Sequence, residues 1–324
     1  MKKKNFLILI GVLFIVVIGL IVGLLLKGES APGGKISEEL RIAKENFRIE
    51  LNINKDEYYI YGLKKAKNVS GANIIIPDSV DGIPVTKIID KETSFSSFNN
   101  VAIITLGKNV NYIGTNGYST QKYGESVFSG ATALTYIDVN PENETFVSVD
   151  GVLYSKDKTV LIKYPANKTK SVNQNVHSYT ILDTVEVIYQ KAFYYNSSIE
   201  VINIPDSVTI IESESFSDCT NIHKINFGKN VKEIRGKAFM NCTNLDTLEL
   251  PENLENISNS AFKDCSNLVD ITFGSKVKFI GDNIFTGCSS ISSIYVNEEY
   301  KDELVVLFED ASLDKYIDKI KTIK

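Results

Sequence analysis

Four cysteines at one fixed spacing are the residues best suited to chemistry in this chain. They are Cys219, Cys242, Cys265 and Cys288, they follow one another at intervals of 23 residues, and the chain has no other cysteine. In an exported protein such a set could form disulfides or hold a metal ion. Identical positions in a repeat point their side chains in parallel, however, and Asn196 takes the same place one interval earlier. We therefore expect buried free thiols, although their oxidation state stays open.

Two histidines, His177 and His223, are the other candidates for acid–base chemistry. The sequence contains no H-E-x-x-H, G-x-S-x-G or G-x-x-x-x-G-K-[ST] motif, which would indicate a zinc hydrolase, a serine hydrolase or a phosphate-binding loop. His223 lies beside a predicted strand, where a surface position is the simplest interpretation. We expect no enzymatic activity, no metal and no cofactor, although composition alone does not exclude a Ser-His-acid site.

The cysteines belong to a larger repeat that predicts the elements around them. Phenylalanines recur at the same interval of 23 residues, at Phe193, Phe216, Phe239, Phe262 and Phe285. Apolar residues occupy positions +6, +9, +11, +15 and +18, counted from each phenylalanine. The residues at +9 and +11 alternate with polar neighbours, which is the pattern of a strand with one buried face. Position +12, which ends this strand, holds Pro205, Gly228, Pro251 and Gly274. The Ala-Phe stretch predicts a single helical turn. Such a pattern predicts a stack of coils whose strands form a parallel sheet on one face.

The repeat continues toward the N-terminus and is interrupted twice. Phe95 and Phe128 are separated by 33 residues, with an insertion near 114–124, and Phe128 and Phe193 by 65, with an insertion within 140–180. The second insertion contains two strand-like runs across a polar turn, which predict a β-hairpin. We expect about seven coils in all. The predicted divisions are an anchor at 1–27, a linker at 28–46, a strand cap at 47–73, repeats at 74–297 and a helical cap at 298–324.

Several of these positions together resemble a known family, the BspA-like leucine-rich repeats of bacterial surface proteins. The resemblance rests on Ile234, Ala238, Phe239, Cys242, Leu245, Leu248, Leu250 and Pro251 with their copies, on the hairpin motifs at 149–154 and 161–165, and on the opening motif at 74–85. It covers roughly residues 55–324. The resemblance implies a right-handed, β-rich α/β solenoid. It also implies secretion or surface display, and some members of the family are adhesins.

The N-terminus predicts a membrane anchor. Residues 6–26 contain no charged side chain, which is enough helix to cross a bilayer, and Lys2, Lys3 and Lys4 precede them. We expect a single-pass transmembrane helix with a cytoplasmic N-terminus and an extracellular repeat domain. A cleaved signal peptide is the alternative, which Glu29 and Pro32 disfavour because they flank the one plausible cleavage point after Ala31.

The charge of the exported part limits its partners. Beyond residue 27 the chain has 31 basic and 40 acidic residues, a formal charge of −9. This balance argues against nucleic acid or anionic lipid as the main partner. We expect a protein or glycan partner on a host cell, a neighbouring cell or the envelope. A structural envelope protein without an external ligand is the alternative.

The best candidates for contact with a partner are the outward residues at +8 and +10 of the repeat strand. They are Tyr136, Asp138, Asn203, Lys224, Asn226, Thr247, Glu249, Asp270, Thr272 and Tyr295. We expect them to line one sheet face, the surface that repeat proteins often use for binding. Tyr118 and Tyr123, in the inserted loop, are a second candidate because inserted loops often carry contacts.

Overall fold

The computed structural model describes residues 37–64, 71–89, 96–115, 121–168 and 177–323. The strands of its N-terminal part are β1 (Phe47–Leu51), β2 (Tyr58–Leu63), β3 (Ala72–Ile75), β4 (Ser79–Val80), β5 (Ile83–Ile89), β6 (Val101–Leu106), β7 (Tyr112–Gly114) and β8 (Tyr136–Val139). The middle part contains β9 (Phe146–Val149), β10 (Val152–Ser155), β11 (Val160–Lys163), β12 (Ser178–Thr180) and β13 (Val187–Ile188). The regular repeats contain β14 (Val201–Asn203), β15 (Ile210–Ile211), β16 (Lys224–Asn226), β17 (Glu233–Ile234), β18 (Thr247–Glu249), β19 (Asn256–Ile257), β20 (Asp270–Thr272), β21 (Phe279–Ile280), β22 (Ser293–Asn297) and β23 (Ile320–Ile323).

Helices occur near the two ends of the described chain. Helix α1 (Glu38–Asn46) precedes β1, and its first turn is capped by the Ser37 hydroxyl, which accepts a hydrogen bond from the Leu40 backbone N–H at 3.0 Å. Helix α2 (Lys301–Asp310) follows β22 and buries Leu304 and Phe308. Among the described helices, none is both long and apolar enough to cross a membrane. The predicted anchor at residues 6–26 lies outside the described ranges.

The coils form a solenoid of about ten turns, not the seven that we expect from the sequence. The difference arises from strands that complete a turn without the repeat phenylalanine. Strand β12 lies in the 65-residue stretch between Phe128 and Phe193 and pairs in parallel with β14. Strand β23 lies in the C-terminal tail and pairs in parallel with β22.

Two columns of parallel strands run along the solenoid, where the sequence predicts one. We call the strands that carry positions +8 to +10, together with their counterparts β3, β6, β8, β12 and β23, the front strands. The second column is built from the residues at +17 and +18, and its pairs lie one repeat apart, as in Glu233 opposite Asn256 and Ile234 opposite Ile257. It belongs to an eight-stranded sheet in the order β21-β19-β17-β15-β13-β11-β10-β9, so the predicted hairpin extends this column.

A column of phenylalanine rings fills the centre of the stack. Phe193, Phe216, Phe239 and Phe262 are fully buried, and their successive ring centroids lie 4.6, 4.9 and 5.4 Å apart with nearly parallel planes. The surrounding Ala-Phe stretch is a hydrogen-bonded turn and not the helical turn expected from the sequence. The reason is that the residues two before and two after each ring have left-handed backbone, for example Lys237 at φ 59° and Asn241 at φ 60°. A helix cannot continue through such residues.

Each cysteine thiol donates a hydrogen bond to the carbonyl of the phenylalanine in the preceding coil. Cys219 Sγ lies 3.2 Å from the Phe193 oxygen, and the other three repeat this bond at 3.1 to 3.3 Å. The four thiols are free and buried. Asn196 takes the same role one coil earlier, because its amide donates to the carbonyls of Pro165 and Ala166. Burial raises the pKa of the Cys219 thiol to about 12, so it remains protonated at neutral pH.

One lysine is enclosed in the core of the hairpin region. Lys163, at the end of β11, has no exposed surface, and its ammonium group donates to the backbone carbonyl of Lys191 at 3.1 Å. Burial lowers the pKa of this side chain to about 7; the nearby Cys219 sulfur opposes the shift and the Lys191 ammonium adds to it.

Candidate functional site

The predicted binding face is divided into three sheets. Strands β3, β6 and β8 form the first, strands β12, β14 and β16 the second, and strands β18, β20, β22 and β23 the third. Tyr136 and Asp138 therefore lie on the first sheet, Asn203, Lys224 and Asn226 on the second, and the other front candidates on the third.

Several candidates on the first and third sheets are partly engaged by their own neighbours. Tyr136 is 38% exposed, and its ring packs over Gly151 with the Lys168 ammonium 5.8 Å from its centroid. Tyr295 is half-buried and has the Lys321 ammonium 5.8 Å from its ring centroid. Asp138 is exposed and accepts the backbone N–H of Val139. Asp270 and Thr272 lie between paired strands and are half-buried.

An amide ladder occupies the middle of the face. The Asn226 side-chain N–H donates to the Asn203 side-chain oxygen at 2.7 Å, and the Asn203 amide donates to the hydroxyls of Ser178 and Thr180 at 3.1 Å. The ladder stops at Asn226, because the next residue in this row is Glu249, which has no amide to continue it.

The parallel pairing of the front strands is interrupted at the same point. In the paired coils the backbone N–H of the residue at +11 donates a hydrogen bond to the backbone carbonyl of the residue at +10 in the next coil. Ile204 donates in this way to Asn226 at 2.8 Å, and Leu250 donates to Thr272 at 2.9 Å. Among the described residues, no such bond joins Phe227 to Glu249, and β16 and β18 belong to different sheets.

Contacts behind this interruption are continuous. Glu233 and Asn256 remain paired in the second column, the Phe239 N–H donates to the Ala261 carbonyl at 2.8 Å, and the rings of Phe239 and Phe262 stay stacked. The two coils therefore stay joined at the back and at the centre, and only their front strands are not paired with each other.

Alternation at position +12 explains where the front opens. The coils that carry Gly228 and Gly274 each lie close to the coil before them, which carries a proline at this position. A Cβ on Gly228 would overlap the Pro205 carbonyl, and a Cβ on Gly274 would lie 2.8 Å from the Glu252 Cα. Pro251, at the same position of the next coil, has a side chain where Gly228 and Gly274 have none, and it lines the opening. The last glycine coil is followed by Asn297 at this position, and there Phe273 does donate to Tyr295 at 2.9 Å.

The opening forms a groove of about 600 Å³, which we call the front groove. One wall consists of His223, Lys224, Ile225, Asn226 and Phe227, the other of Asp246, Thr247, Glu249, Leu250, Pro251 and Glu252, and Asp206 and Lys229 lie at one end. Lys229 pairs with Asp206 at 2.9 Å, and the Lys229 backbone N–H together with this ammonium lowers the pKa of the Asp206 carboxyl. Within the described chain no ion pair reaches Asp246, Glu249 or Glu252. The groove therefore has an excess of negative charge.

Comparisons with known proteins agree with this architecture. Residues 186–312 match the model of the BspA type leucine-rich repeat region in six copies. Residues 186–312 therefore form a BspA-type leucine-rich repeat region. Among solved structures, the fold is similar to the pneumococcal vaccine antigen PcpA, with a TM-score of 0.57 and 18% identity over 86% of this chain and 100% of that one. It is also similar to a leucine-rich cell surface protein from Faecalibacterium prausnitzii, with a TM-score of 0.53 and 17% identity over 83% and 96% of the two chains. No curated protein matches the sequence.

The two candidate tyrosines of the inserted loop differ from the candidates on the front strands. Tyr118 lies outside the described residues. Tyr123 is buried and packs against Phe146 and Tyr189, with ring centroids 5.9 and 5.8 Å away. Tyr123 therefore does not offer the exposed contact expected from its place in the insertion, because its ring lies in the core.

Several groove residues are missing from the candidates chosen by sequence. The outward pattern of the strands predicts Lys224, Asn226, Thr247 and Glu249, and the structure brings these four residues together. His223, Phe227, Asp246 and Glu252 flank the BspA-type strands at positions that the outward criterion ignores. The alternation of proline and glycine at +12 could have located them, since it predicts unequal spacing between coils.

Proposed function

We propose that this protein is a membrane-anchored, extracellular binding scaffold that captures a protein or glycan partner and catalyses no reaction. In this proposal residues 6–26 cross the membrane with the N-terminus in the cytoplasm, and the solenoid faces outward. The observation that carries the proposal is the front groove, a concave site on the sheet face whose strands β16 and β18 are not paired and whose Asp246, Glu249 and Glu252 have no ion pair within the described residues. Concave sites with a few convergent polar groups are typical binding sites.

A binding array tests the proposal directly. Residues 35–324 would be labelled and presented to glycans and to host and envelope proteins, beside a Glu249→Lys variant. We expect capture of a defined partner that the variant weakens. A domain that captures nothing would contradict the scaffold role and favour a structural envelope protein.

Protease treatment of intact cells tests the location. We expect residues beyond 40 to be removed from intact cells while a cytoplasmic marker survives. Protection of the repeat region until the cells are lysed would contradict extracellular display.

A further inference from the structure

Two adjacent tyrosines, Tyr194 and Tyr195, lie in the turn that follows Phe193, outside the front strands. Tyr195 is 51% exposed, and its backbone is left-handed at φ 62°. The same position in the next four coils holds residue types that adopt this backbone more readily, namely Asp218, Asn241, Asp264 and Gly287. The turn itself therefore does not require a tyrosine, and residues held in an unfavourable backbone conformation cluster at functional sites.

The backbone that carries the two rings is held in place. The Tyr195 N–H donates to the Ser217 carbonyl of the next coil at 3.2 Å. The side chain of Asn196, the next residue, is buried and donates to two backbone carbonyls of the preceding coil. The two rings meet edge to face, with centroids 4.6 Å apart and planes at 87°. A ligand would therefore meet a preformed aromatic surface, which lowers the entropy cost of binding.

A carboxylate in a defined orientation accompanies the two rings. Asp218 accepts a hydrogen bond from the Asn241 amide at 2.7 Å on one oxygen and from the Ser217 hydroxyl at 3.0 Å on the other. No ion pair within the described residues reaches Asp218, so each oxygen can accept a further hydrogen bond. Burial, and after it the charge of Asp218, raises the pKa of the Tyr194 hydroxyl to about 12. This hydroxyl therefore keeps its proton at neutral pH.

The charges around the pair favour a neutral ligand. The Lys191 ammonium already lies 5.3 Å from the centroid of the Tyr194 ring, which disfavours a second cation there. Lys191 is paired with Glu214 at 3.6 Å, so it is not free to bind an anion. The unpaired carboxylate of Asp218 would repel an anion as well.

The polar surroundings of Tyr195 favour a sugar over a protein. From residue 137 to residue 268, Tyr195 is the one large apolar side chain of the described residues that is exposed. A protein interface of standard size covers about 800 Å² on each partner and has an apolar core, which a single exposed ring does not supply. A pyranose is smaller and has an apolar C–H face bordered by hydroxyl groups. An exposed ring beside a carboxylate complements both features.

We propose that Tyr194 and Tyr195 form a binding site for a neutral saccharide. The C–H face of the sugar packs on the Tyr195 ring, and a sugar hydroxyl donates to the Asp218 carboxylate. The site shares no residue with the front groove. The inference therefore rests on the proposed function in that the protein is a binding scaffold, and it adds a second site with its own ligand class.

The test uses the full chain in phosphatidylcholine nanodiscs on a glycan array. Lactose, chitotriose and maltotriose are the neutral probes, and sialyllactose is the anionic counterpart of lactose. The main variant is Tyr195→Asn, because asparagine occupies this position in the coil of Asn241 at φ 60°. Tyr195→Phe keeps the ring, and Phe279→Asn, which alters another ring that is 51% exposed, is the matched control.

We expect capture of at least one neutral probe, with sialyllactose captured no better than lactose. Affinity for the captured probe should fall about tenfold or more in Tyr195→Asn and stay within about twofold in Tyr195→Phe and Phe279→Asn. The melting temperature of Tyr195→Asn should equal or exceed that of the wild type, since asparagine tolerates the left-handed backbone better than tyrosine. Loss of binding in this variant would then not result from unfolding.

Capture of no neutral probe, or equal capture by the wild type and Tyr195→Asn, would overturn the inference. Sugar capture that Glu249→Lys abolishes and Tyr195→Asn does not would place the sugar in the front groove, and a host or envelope protein whose capture requires Tyr195 would make the pair a protein contact. Both results would overturn the inference and leave the scaffold role intact. The scaffold role itself fails only if glycans and whole host or envelope proteins are all left unbound.

Discussion

Replacing the buried Lys163 by methionine should stabilise the protein at neutral and acidic pH. The free side chain has an ordinary pKa of 10.5, and burial lowers this pKa to about 7 in the folded state. Since one pKa unit corresponds to about 1.4 kcal/mol, the charged lysine costs the fold on the order of 5 kcal/mol below pH 7. Methionine has a similar length and no charge. The Lys191 carbonyl keeps a partner in the variant, because it also accepts the Tyr194 N–H at 3.2 Å.

The effect has a definite sign with pH. Between about pH 7 and pH 10.5 the unfolded chain keeps the proton that the folded chain has lost, so wild-type stability rises with pH in this window. The advantage of Lys163→Met should accordingly shrink by up to about 1.4 kcal/mol per pH unit above pH 7 and vanish near pH 10.5.

Urea unfolding at several pH values, followed by circular dichroism, measures this difference. Other groups titrate in the same range, but they cancel when the variant is subtracted from the wild type at each pH. Lys158→Met, which alters an exposed lysine of the same hairpin, controls for the loss of a surface charge. A difference between wild type and Lys163→Met that stays constant from pH 7 to pH 10 would refute the assignment of the pH dependence to Lys163.

Three further changes test the packing of the coils. Phe239→Ala should lower the free energy of unfolding by about 3–5 kcal/mol because it empties a place between two stacked rings. Phe279→Ala, at a ring that is 51% exposed, should be nearly neutral. Equal melting temperatures of the two variants would contradict the core role of Phe239. Gly228→Ala should lower the free energy of unfolding by about 1–3 kcal/mol, because the new Cβ would overlap the Pro205 carbonyl. Gly236→Ala should not lower it, because the nearest contact of the new Cβ would be 3.5 Å away. Urea titration measures the difference between the two variants. Lys237→Asn should raise the free energy of unfolding by roughly 1 kcal/mol, since asparagine tolerates the left-handed backbone better than lysine. Lys232→Asn, at a residue without left-handed backbone, is the control. An equal change in both variants would argue against backbone strain at Lys237.

The repeat strands and their buried face could be predicted because one pattern specifies both. Ile225 and Leu248 alternate with polar neighbours, and both are buried as this alternation requires. The number of turns was underestimated because β12 and β23 use other residues in place of the phenylalanine. A repeat pattern detects only those turns that share its marker.

The site was harder to predict because it depends on differences between coils. An outward position on the strand predicts Asn226, Glu249 and Thr272 equally well. Of these three residues, Asn226 and Glu249 line the groove and Thr272 does not. The distinction lies in how closely neighbouring backbones approach at Gly228 and Pro251. Burial of Lys163 was missed for a related reason, since a lysine within a strand normally indicates an exposed position.

The separation of coils at the front, with continuous contacts behind, gives the stack a preferred direction of bending. Bending that widens the front groove stretches no hydrogen bond between β16 and β18, because none is present there. Bending in the opposite sense must pull apart the pairing of Glu233 with Asn256 and the stacked rings of Phe239 and Phe262. At this junction between coils the solenoid therefore bends more easily in the direction that widens the front groove than in the opposite direction. A force exerted by a partner bound in the front groove would first widen the groove itself.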